Sequence, residues 1–554
     1  MPPPVSPVTS RAVPLFLIAV ILSWGSYLRL ADLGEANFNA DELDHYYAAI
    51  GLSQGRGPVL PSGSMYTRGL DITRLVSRSI GVSDDREFAA RVPSATFGII
   101  GLVLMALVAW ALAGPWPAVW ATFLLAIFPE AIIQARMTRF YTYQMCFGLP
   151  AMLTGWLAIR SAGRSDTPAA SETLRAWGWA LLTVVLLGLA VRIQLTSLSV
   201  LVAWCLAVAI AALSDLRARG REAWRGSFAI QAAVLGLTGM LLVVAFLPDK
   251  LEVYAAVSQR VPAWSAPGSV LSYYYSLSRY FPLLVALIPL ILVAAFARKR
   301  QLAVYLAVWF LVPLLLHSLV FPWKGDRYII LAMPALFVAT GMAAATGVRA
   351  LRQWLTAVFE TLGRESGRRI PASGLAAIGV ALIVGFAIAT QHGFNEARRI
   401  PPNRKPIDWE AAQRLIERTH GVEGTPLGTS IGLPALFYWG RADFVVGTDF
   451  LEAPDDNGSL VLRPEGSPDW YSGSPVVTTP DGIRERFGAV GAVLVGIDTD
   501  RWRFNNIDAE LKRVLGREGV ELCLGRCGDL LLFEWRFASD GVEPDSTGKP
   551  AGGL

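Results

Sequence analysis

Apolar stretches of about 17–22 residues recur through the first 391 residues, and they constrain the fold more than any other feature. A stretch of this length crosses the hydrocarbon core of a bilayer as a helix. Only 17% of the residues are charged, whereas roughly a quarter are charged in a soluble globular protein. The sequence therefore predicts a multi-pass, all-α membrane domain of about eleven helices. The predicted spans are 12–30, 91–113, 115–133, 141–159, 176–192, 195–213, 228–247, 281–297, 302–320, 329–348 and 374–391.

The short loops between these spans indicate which side faces the cytoplasm. If the N-terminus is inside, the cytoplasmic loops are 160–175, 214–227, 298–301 and 349–373. Arginine is frequent in all of them, in agreement with the positive-inside rule. The loop 31–90 and the residues after 391 are then extracytoplasmic, and a bacterial inner membrane is the expected location. We attribute the net charge of +5 to this topology and expect no nucleic-acid partner.

Composition divides the chain into a membrane domain and a smaller soluble domain. Residues 1–391 form the predicted membrane domain, which includes the outer loop 31–90. A proline-containing linker follows at 392–405. Residues 406–540 mix helical spacing, as in DWEAAQRLIERTH, with strand-like runs such as GAVGAVLVGI and DLLLFEWRF. We therefore expect a small extracytoplasmic α/β domain, with a disordered tail at 541–554.

The four cysteines fall into two pairs with different expected roles. Cys146 and Cys205 lie within predicted spans, where we expect inert packing. Cys523 and Cys527 lie in the outer domain, between two strand-like runs joined by a Gly-Arg turn. An oxidising compartment favours a disulfide between them, and a lone Cys-x3-Cys pair is a poor zinc site.

An acidic pair follows the first predicted span, in the segment FNADELDHYY. Asn39 or Asp41 is a suitable cap for a helix that runs to about Gln54, which would put Asp41 and Glu42 in its first turn. Asp41 and His45 then share one helix face. Such a pair at a membrane surface can act as a general base or bind a metal ion. The alternative is a helix N-terminus that simply carries acidic residues.

Two predicted outer turns carry basic residues on the side where the positive-inside rule disfavours them. The turn in QARMTRFYTYQ contains Arg136 and Arg139, and the turn in FPWKGDRYIILAMP contains Lys324 and Arg327. Phosphate binding would explain these residues, because guanidinium groups match phosphate geometry. The alternatives are anchoring at the lipid headgroups and local salt bridges. Glu130 precedes the first of these turns and is a candidate second acid.

Two further features carry weaker signals. His317 lies late in a predicted span, where a packed core histidine is the expected role. Asp498 and Asp500 form an Asp-x-Asp pair in the outer domain, a motif that some nucleotide-sugar enzymes use for a metal but that is too short to be specific.

Taken together, these motifs resemble the GT-C superfamily of membrane glycosyltransferases, and in particular its protein-O-mannosyltransferase and aminoarabinose-transferase-like branch. The resemblance rests on the acidic pair, on RVPS at Arg91 to Ser94, on ARMTRFY and on KGDRYIILAMP. It implies a sugar donor on a polyprenyl monophosphate, an acceptor that is a lipid, glycan or protein, and inversion at the anomeric carbon.

The resemblance also implies roles for individual residues. Asp41 would be the general base, with Glu42 in support. The cations expected at the donor phosphate are Arg136, Arg139, Lys324 and Arg327. Substrate contacts are expected from His45, Tyr141 and Tyr328. A divalent cation stays open as a cofactor.

Two other classes of protein compete with this interpretation. A transporter or flippase of a lipid-linked or anionic substrate predicts paired repeats and charges near the middle of spans. The sequence shows neither repeats nor many buried charges. A structural or sensory membrane protein would have no need of an acidic pair together with two basic turns.

Overall fold

A computed structural model gives the arrangement of most of the chain. It describes residues 9–162, 170–220, 271–281, 285–320, 325–366, 407–420, 424–446, 452–454, 460–462, 466–469, 471–499 and 507–537. The chain forms two compact units. One comprises Met1–Gly34 and Arg68–Asn403, and the other comprises Glu35–Thr67 and Arg404–Leu554. Most of the outer loop thus groups with the C-terminal residues, whereas the sequence analysis placed all of it with the membrane helices.

Among the described residues, helices make up most of the first unit and part of the second. In chain order they are α1 (Thr9–Leu30), α2 (Ala40–Ser53), α3 (Leu70–Ser79), α4 (Arg86–Ala113), α5 (Pro115–Ile127), α6 (Pro129–Ala135), α7 (Tyr141–Ala162), α8 (Ala170–Ile193), α9 (Leu198–Arg219), α10 (Ser272–Tyr280), α11 (Ile288–Arg298), α12 (Arg300–Leu319), α13 (Met333–Ser366), α14 (Trp409–His420), α15 (Gly432–Tyr438), α16 (Pro480–Phe487) and α17 (Ala509–Glu518). Short 3₁₀ turns occur at Leu195–Ser197, Asp326–Ile329 and Gly488–Val490.

Five helical segments in the described part of the chain are long and apolar enough to cross a membrane. They are Arg11–Leu30, Arg86–Ala113, Glu172–Ile193, Leu195–Ala218 and Arg300–Leu319. The bent pair α5–α6 makes a sixth if it counts as one broken span. The chain is therefore a membrane protein, but the predicted number of eleven spans is not confirmed. Two of the predicted spans, 228–247 and 374–391, lie outside the described residues.

The break between α5 and α6 bends the chain by 61° and has a clear physical cause. Pro129 has no backbone N–H, so it cannot donate to the carbonyl of Leu125 one turn earlier. Arg29 of α1 supplies the missing donor. Its Nη2 donates to Leu125 at 3.2 Å, and its Nη1 donates to Ala126 at 3.3 Å and to Gly25 at 2.9 Å. The Arg29 side chain is fully buried, and it holds the broken ends against α1.

Substitution of Arg29 by methionine tests this arrangement. The side chain keeps much of its volume but leaves the two α5 carbonyls without these donors, and each unmet buried acceptor costs about 1–3 kcal/mol. We expect a clearly lower thermal unfolding midpoint of the detergent-solubilised protein. Arg11→Met, at an exposed position of the same helix, should unfold like wild type. Equal midpoints for both variants would contradict this role of Arg29.

The second unit is built on a five-stranded mixed sheet. Its strands are β1 (Leu427–Thr429), β2 (Phe444–Val445), β5 (Ala492–Asp498), β6 (Gly519–Glu521) and β7 (Leu530–Arg536); β3 (Glu452–Pro454) and β4 (Leu460–Leu462) form a separate antiparallel pair. The order is β2-β1-β5-β7-β6. The strands β2, β1 and β5 run parallel, and β7 runs antiparallel to β5 and β6.

Both faces of this sheet are covered by helices. Leu494 of β5 packs in one apolar cluster with Trp409 of α14 and with α15. Val493 and Val495 point to a second cluster that contains α16 and α17. Alternation along one strand thus builds two cores, and the predicted small α/β domain is confirmed. Cys523 and Cys527 are joined by a disulfide in the first cluster, with their Cα atoms 5.6 Å apart.

Candidate functional site

The acidic pair opens α2, and its two members have different surroundings. The Asn39 side chain accepts a hydrogen bond from the Glu42 N–H at 3.0 Å, and Glu42 Oε2 accepts one from the Asn39 N–H at 3.1 Å. These two bonds form a capping box, which satisfies donors that a helix start leaves open. Glu42 is buried, whereas Asp41 is only half-buried. The geometry therefore gives Glu42 a structural task and leaves Asp41 as the acid closer to solvent.

His45 follows Asp41 by one helical turn, so the two share a face of α2, as predicted. The His45 ring is fully buried. Its Nε2 lies 3.5 Å from the Tyr66 hydroxyl, and the two rings meet edge to face with centroids 5.1 Å apart. The predicted substrate contact of His45 stays a prediction, because the described contacts are internal to the second unit.

Contacts with the C-terminal residues explain why α2 belongs to the second unit. The Phe38 N–H donates to the Tyr438 hydroxyl at 2.7 Å. The Phe437 ring lies 5.4 Å from the Phe38 ring and 5.3 Å from the Tyr46 ring, between centroids. The Asn37 side chain donates to the carbonyl of residue 407 at 3.4 Å. The start of α2 is thus fixed by α15 and its neighbours.

The capping box predicts a difference between two substitutions of Glu42. Glutamine retains an oxygen that can accept from the Asn39 N–H, whereas alanine does not. We expect Glu42→Ala to lower the free energy of unfolding by about 0.5–2 kcal/mol and Glu42→Gln to change it much less. Chemical denaturation followed by tryptophan fluorescence would measure both. Equal losses would show that the negative charge, rather than the cap, is what stabilises α2.

In the first unit, Arg136 serves the backbone. Its guanidinium donates to the carbonyls of Leu28 at 3.3 Å, of Asp32 at 3.0 Å and of Ala31. The last carbonyls of a helix have no partner within the helix, and Arg136 supplies donors to those at the end of α1. Asp32 has a positive φ of 52°, so the chain turns sharply here. The predicted role of Arg136 at a donor phosphate stays a prediction.

Arg139 lies in a turn that the RVPS segment holds in place. Ser94 Oγ donates to the Arg139 carbonyl at 2.8 Å and accepts from the Arg139 N–H at 3.2 Å. Thr142 Oγ1 donates to the Ser94 carbonyl at 2.9 Å. Arg91 of the same segment donates to the carbonyl of Leu33 at 3.0 Å. The motif residues thus fix the backbone from which the Arg139 side chain projects.

Five predicted or suspected residues of the first unit come together in what we call the arginine–aromatic cluster: Arg139, Tyr141, His317, Arg327 and Tyr328. The guanidinium carbon of Arg139 lies 5.8 Å from the centre of the Tyr141 ring. The rings of Tyr141 and Tyr328 are 6.5 Å apart, and the Arg327 guanidinium carbon lies 5.2 Å from the Tyr328 ring. Two buried or half-buried cations are thus held by cation–π attraction.

His317 was expected to be a packed core residue, and the structure shows that it also supports this cluster. Its ring stacks on Tyr328 with an interplanar angle of 16° and centroids 6.0 Å apart. Its Nε2 lies 3.2 Å from Ser199 Oγ. Tyr273 packs against His317, and its hydroxyl accepts from the Gly325 N–H at 3.3 Å. Burial raises the pKa of the Tyr273 phenol above its ordinary value, so it stays neutral here. No sequence signal near His317 indicated these long-range partners.

Glu130 reaches the same region from α6. Its carboxylate accepts from Gln134 Nε2 at 2.8 Å and interacts electrostatically with Asp326 and Arg327. The side chain is buried. The candidate second acid therefore belongs near the arginine–aromatic cluster, at a position set by the bend at Pro129.

The remaining predicted residues add no described contact to the arginine–aromatic cluster. Lys324 and Asp500 lie outside the described residues. Asp498 ends β5, where its N–H donates to the Ser430 hydroxyl at 3.0 Å. Among the residues that the structure describes, no group of three or more His, Cys, Asp or Glu side chains is arranged to hold a metal ion.

Solved structures identify the fold. ArnT from Cupriavidus metallidurans in the apo state superposes with a TM-score of 0.54 at 14% identity, over 95% of this chain and 98% of that one. The same protein bound to undecaprenyl phosphate superposes with a TM-score of 0.50 at 14% identity, over 94% of this chain and 97% of that one. The archaeal oligosaccharyltransferase AglB from Archaeoglobus fulgidus was solved in complex with an inhibitory peptide and a dolichol-phosphate. It superposes with a TM-score of 0.53 at 13% identity, over 89% of this chain and 70% of that one. The fold is thus of the predicted GT-C type. No protein family and no curated protein matches the chain by sequence.

Proposed function

We propose that this protein is an inverting glycosyltransferase that moves a sugar from a polyprenyl-phosphate carrier to an acceptor lipid, glycan or protein. The reaction takes place on the extracytoplasmic side of a bacterial inner membrane. The observation that carries the proposal is the arginine–aromatic cluster on a fold whose solved relatives bind undecaprenyl phosphate or dolichol-phosphate. Membrane lipids and the lipid-linked donor are its expected partners.

The leaving group explains the need for the two arginines. When the bond between the sugar C1 and the phosphate oxygen breaks, the carrier changes from a phosphodiester to a phosphomonoester and gains negative charge. Hydrogen-bond donors that are already in place where charge develops usually make the largest single contribution to lowering the activation barrier. Arg139 and Arg327 supply that charge, and Tyr141 and Tyr328 hold them in place through their ring faces. Arg136 and Lys324 are secondary candidates for contacts with the donor phosphate. Arg136 donates hydrogen bonds to the end of α1, and Lys324 lies outside the described residues.

The acceptor must lose a proton as it attacks. Asp41 takes the proton from the acceptor hydroxyl or amine, the acceptor atom forms a bond to C1, and the polyprenyl phosphate departs on the opposite face. The sugar configuration at C1 is therefore inverted. Asp41 lies in the first turn of α2 and is the half-buried member of the acidic pair. Glu42 supports Asp41 through the capping box and needs no role in the proton transfer.

The direct test is transfer by the purified protein in nanodiscs. A panel of radiolabelled polyprenyl-phosphate sugars would serve as donors and extracted membranes as acceptors, with and without chelator. We expect Asp41→Asn to lose about 10²–10⁴-fold in rate, the usual contribution of a general base. Glu42→Gln retains the cap and should keep most of the activity. The proposal fails if folded Asp41→Asn transfers as fast as wild type; lipid movement without transfer would favour a transporter.

A second test concerns the leaving group. Arg327→Gln removes a cation while keeping a polar side chain, and we expect the rate constant for transfer to fall about 10²-fold or more. Arg78→Gln, at an exposed position of α3, is the matched loss of one arginine and should transfer normally. Single-turnover kinetics with saturating donor would separate chemistry from binding. An equal response of the two variants would argue against a specific role for Arg327.

A further inference from the structure

The helix that carries Asp41 cannot determine its own position. It has 14 residues, and isolated helices of this length are marginal in water. Its N-terminal end is instead held by side chains about 400 residues away in the sequence. The bond from the Phe38 N–H to the Tyr438 hydroxyl, at 2.7 Å, is made by the residue directly before the helix cap. Asp41 follows three residues later.

The Tyr438 hydroxyl is itself fixed by the C-terminal domain. Its ring lies parallel to that of Trp409, with centroids 6.4 Å apart and an interplanar angle of 6°. The Trp409 carbonyl accepts from Trp439 Nε1 at 3.1 Å, which ties α14 to the end of α15. The neighbouring Phe437 ring lies against both Phe38 and Tyr46. One hydrogen bond and two ring contacts therefore set where α2 begins and how it is rotated.

We infer that Tyr438 is a positioning residue for the proposed base, through which the C-terminal domain sets the place of Asp41. This inference rests on the proposed function for its kinetic consequence, but the structural link from Tyr438 to α2 does not depend on it. Tyr438 makes no bond to substrate in this scheme. It acts on the reaction only because its hydroxyl holds the backbone N–H at the start of the helix.

The experiment compares two conservative variants of the full-length protein in nanodiscs. Tyr438→Phe removes the hydroxyl alone. Trp535→Phe is the control: it removes the bond from Trp535 Nε1 to Glu518, at 3.1 Å, in the other apolar cluster of the same domain. Hydrogen–deuterium exchange of the α2 amides and steady-state transfer kinetics would be measured for both. If Tyr438→Phe does not fold, Phe437→Leu takes its place with the same readouts.

For Tyr438→Phe we expect the first amides of α2 to exchange about tenfold faster, which corresponds to about 1.4 kcal/mol for one lost hydrogen bond. We expect kcat to fall by a similar factor while the KM for the donor is unchanged, because the arginine–aromatic cluster is intact. Trp535→Phe should leave both readouts at the wild-type level.

The outcomes separate this inference from the proposed function. Faster α2 exchange in Tyr438→Phe alone, with no transfer by wild type, would support the positioning role and defeat the proposed function. Active wild type with unchanged α2 exchange and unchanged kcat in Tyr438→Phe would overturn the inference. An equal effect of Trp535→Phe would also overturn it, because general loosening of the domain would then suffice.

Discussion

The hydrogen bonds from Arg29 to the end of α5 are the interaction on which the rest of the first unit depends. A helix that breaks inside an apolar environment leaves carbonyls without donors, and Pro129 makes that loss unavoidable. Arg29 meets it from a neighbouring helix. The bend of 61° can then persist, and it directs Glu130 toward the turn that contains Arg327. The position of Glu130 near the arginine–aromatic cluster thus depends on the hydrogen bonds that Arg29 donates at the break between α5 and α6.

Five buried or half-buried arginines of this unit differ in what they contact. Arg29, Arg91 and Arg136 donate to backbone carbonyls and hold chain segments together. Arg139 and Arg327 lie over tyrosine rings. Ring contacts of this kind restrict where a guanidinium group lies. The first three arginines therefore stabilise the backbone of this unit, and the other two belong to the arginine–aromatic cluster.

Local signals in the sequence predicted local structure well. Asn39 was one of two predicted caps of α2 and is its N-cap, and the helix ends at Ser53, next to the predicted end at about Gln54. Strand periodicity located β5 and β7 in the same way. Long-range partners could not be predicted: the carbonyls of Leu28 and Asp32 that Arg136 contacts lie more than 100 residues earlier in the chain. The expectation that His317 is a core residue is confirmed by its burial, whereas its contacts with Ser199 and Tyr328 could not be predicted. The roles of these side chains depend on tertiary contacts, and the periodicity of a sequence does not predict such contacts.

The sheet of the C-terminal domain determines where α2 begins, through the helix α15. The helix α15 follows β1 after only Ser430 and Ile431, and both are bonded to the sheet: Ser430 N–H donates to the Gly496 carbonyl at 2.9 Å, and Ile431 N–H donates to Thr429 Oγ1 at 3.1 Å. The sheet therefore sets the position of α15, and α15 sets the start of α2. The C-terminal domain thus holds the start of the helix that carries the acidic pair.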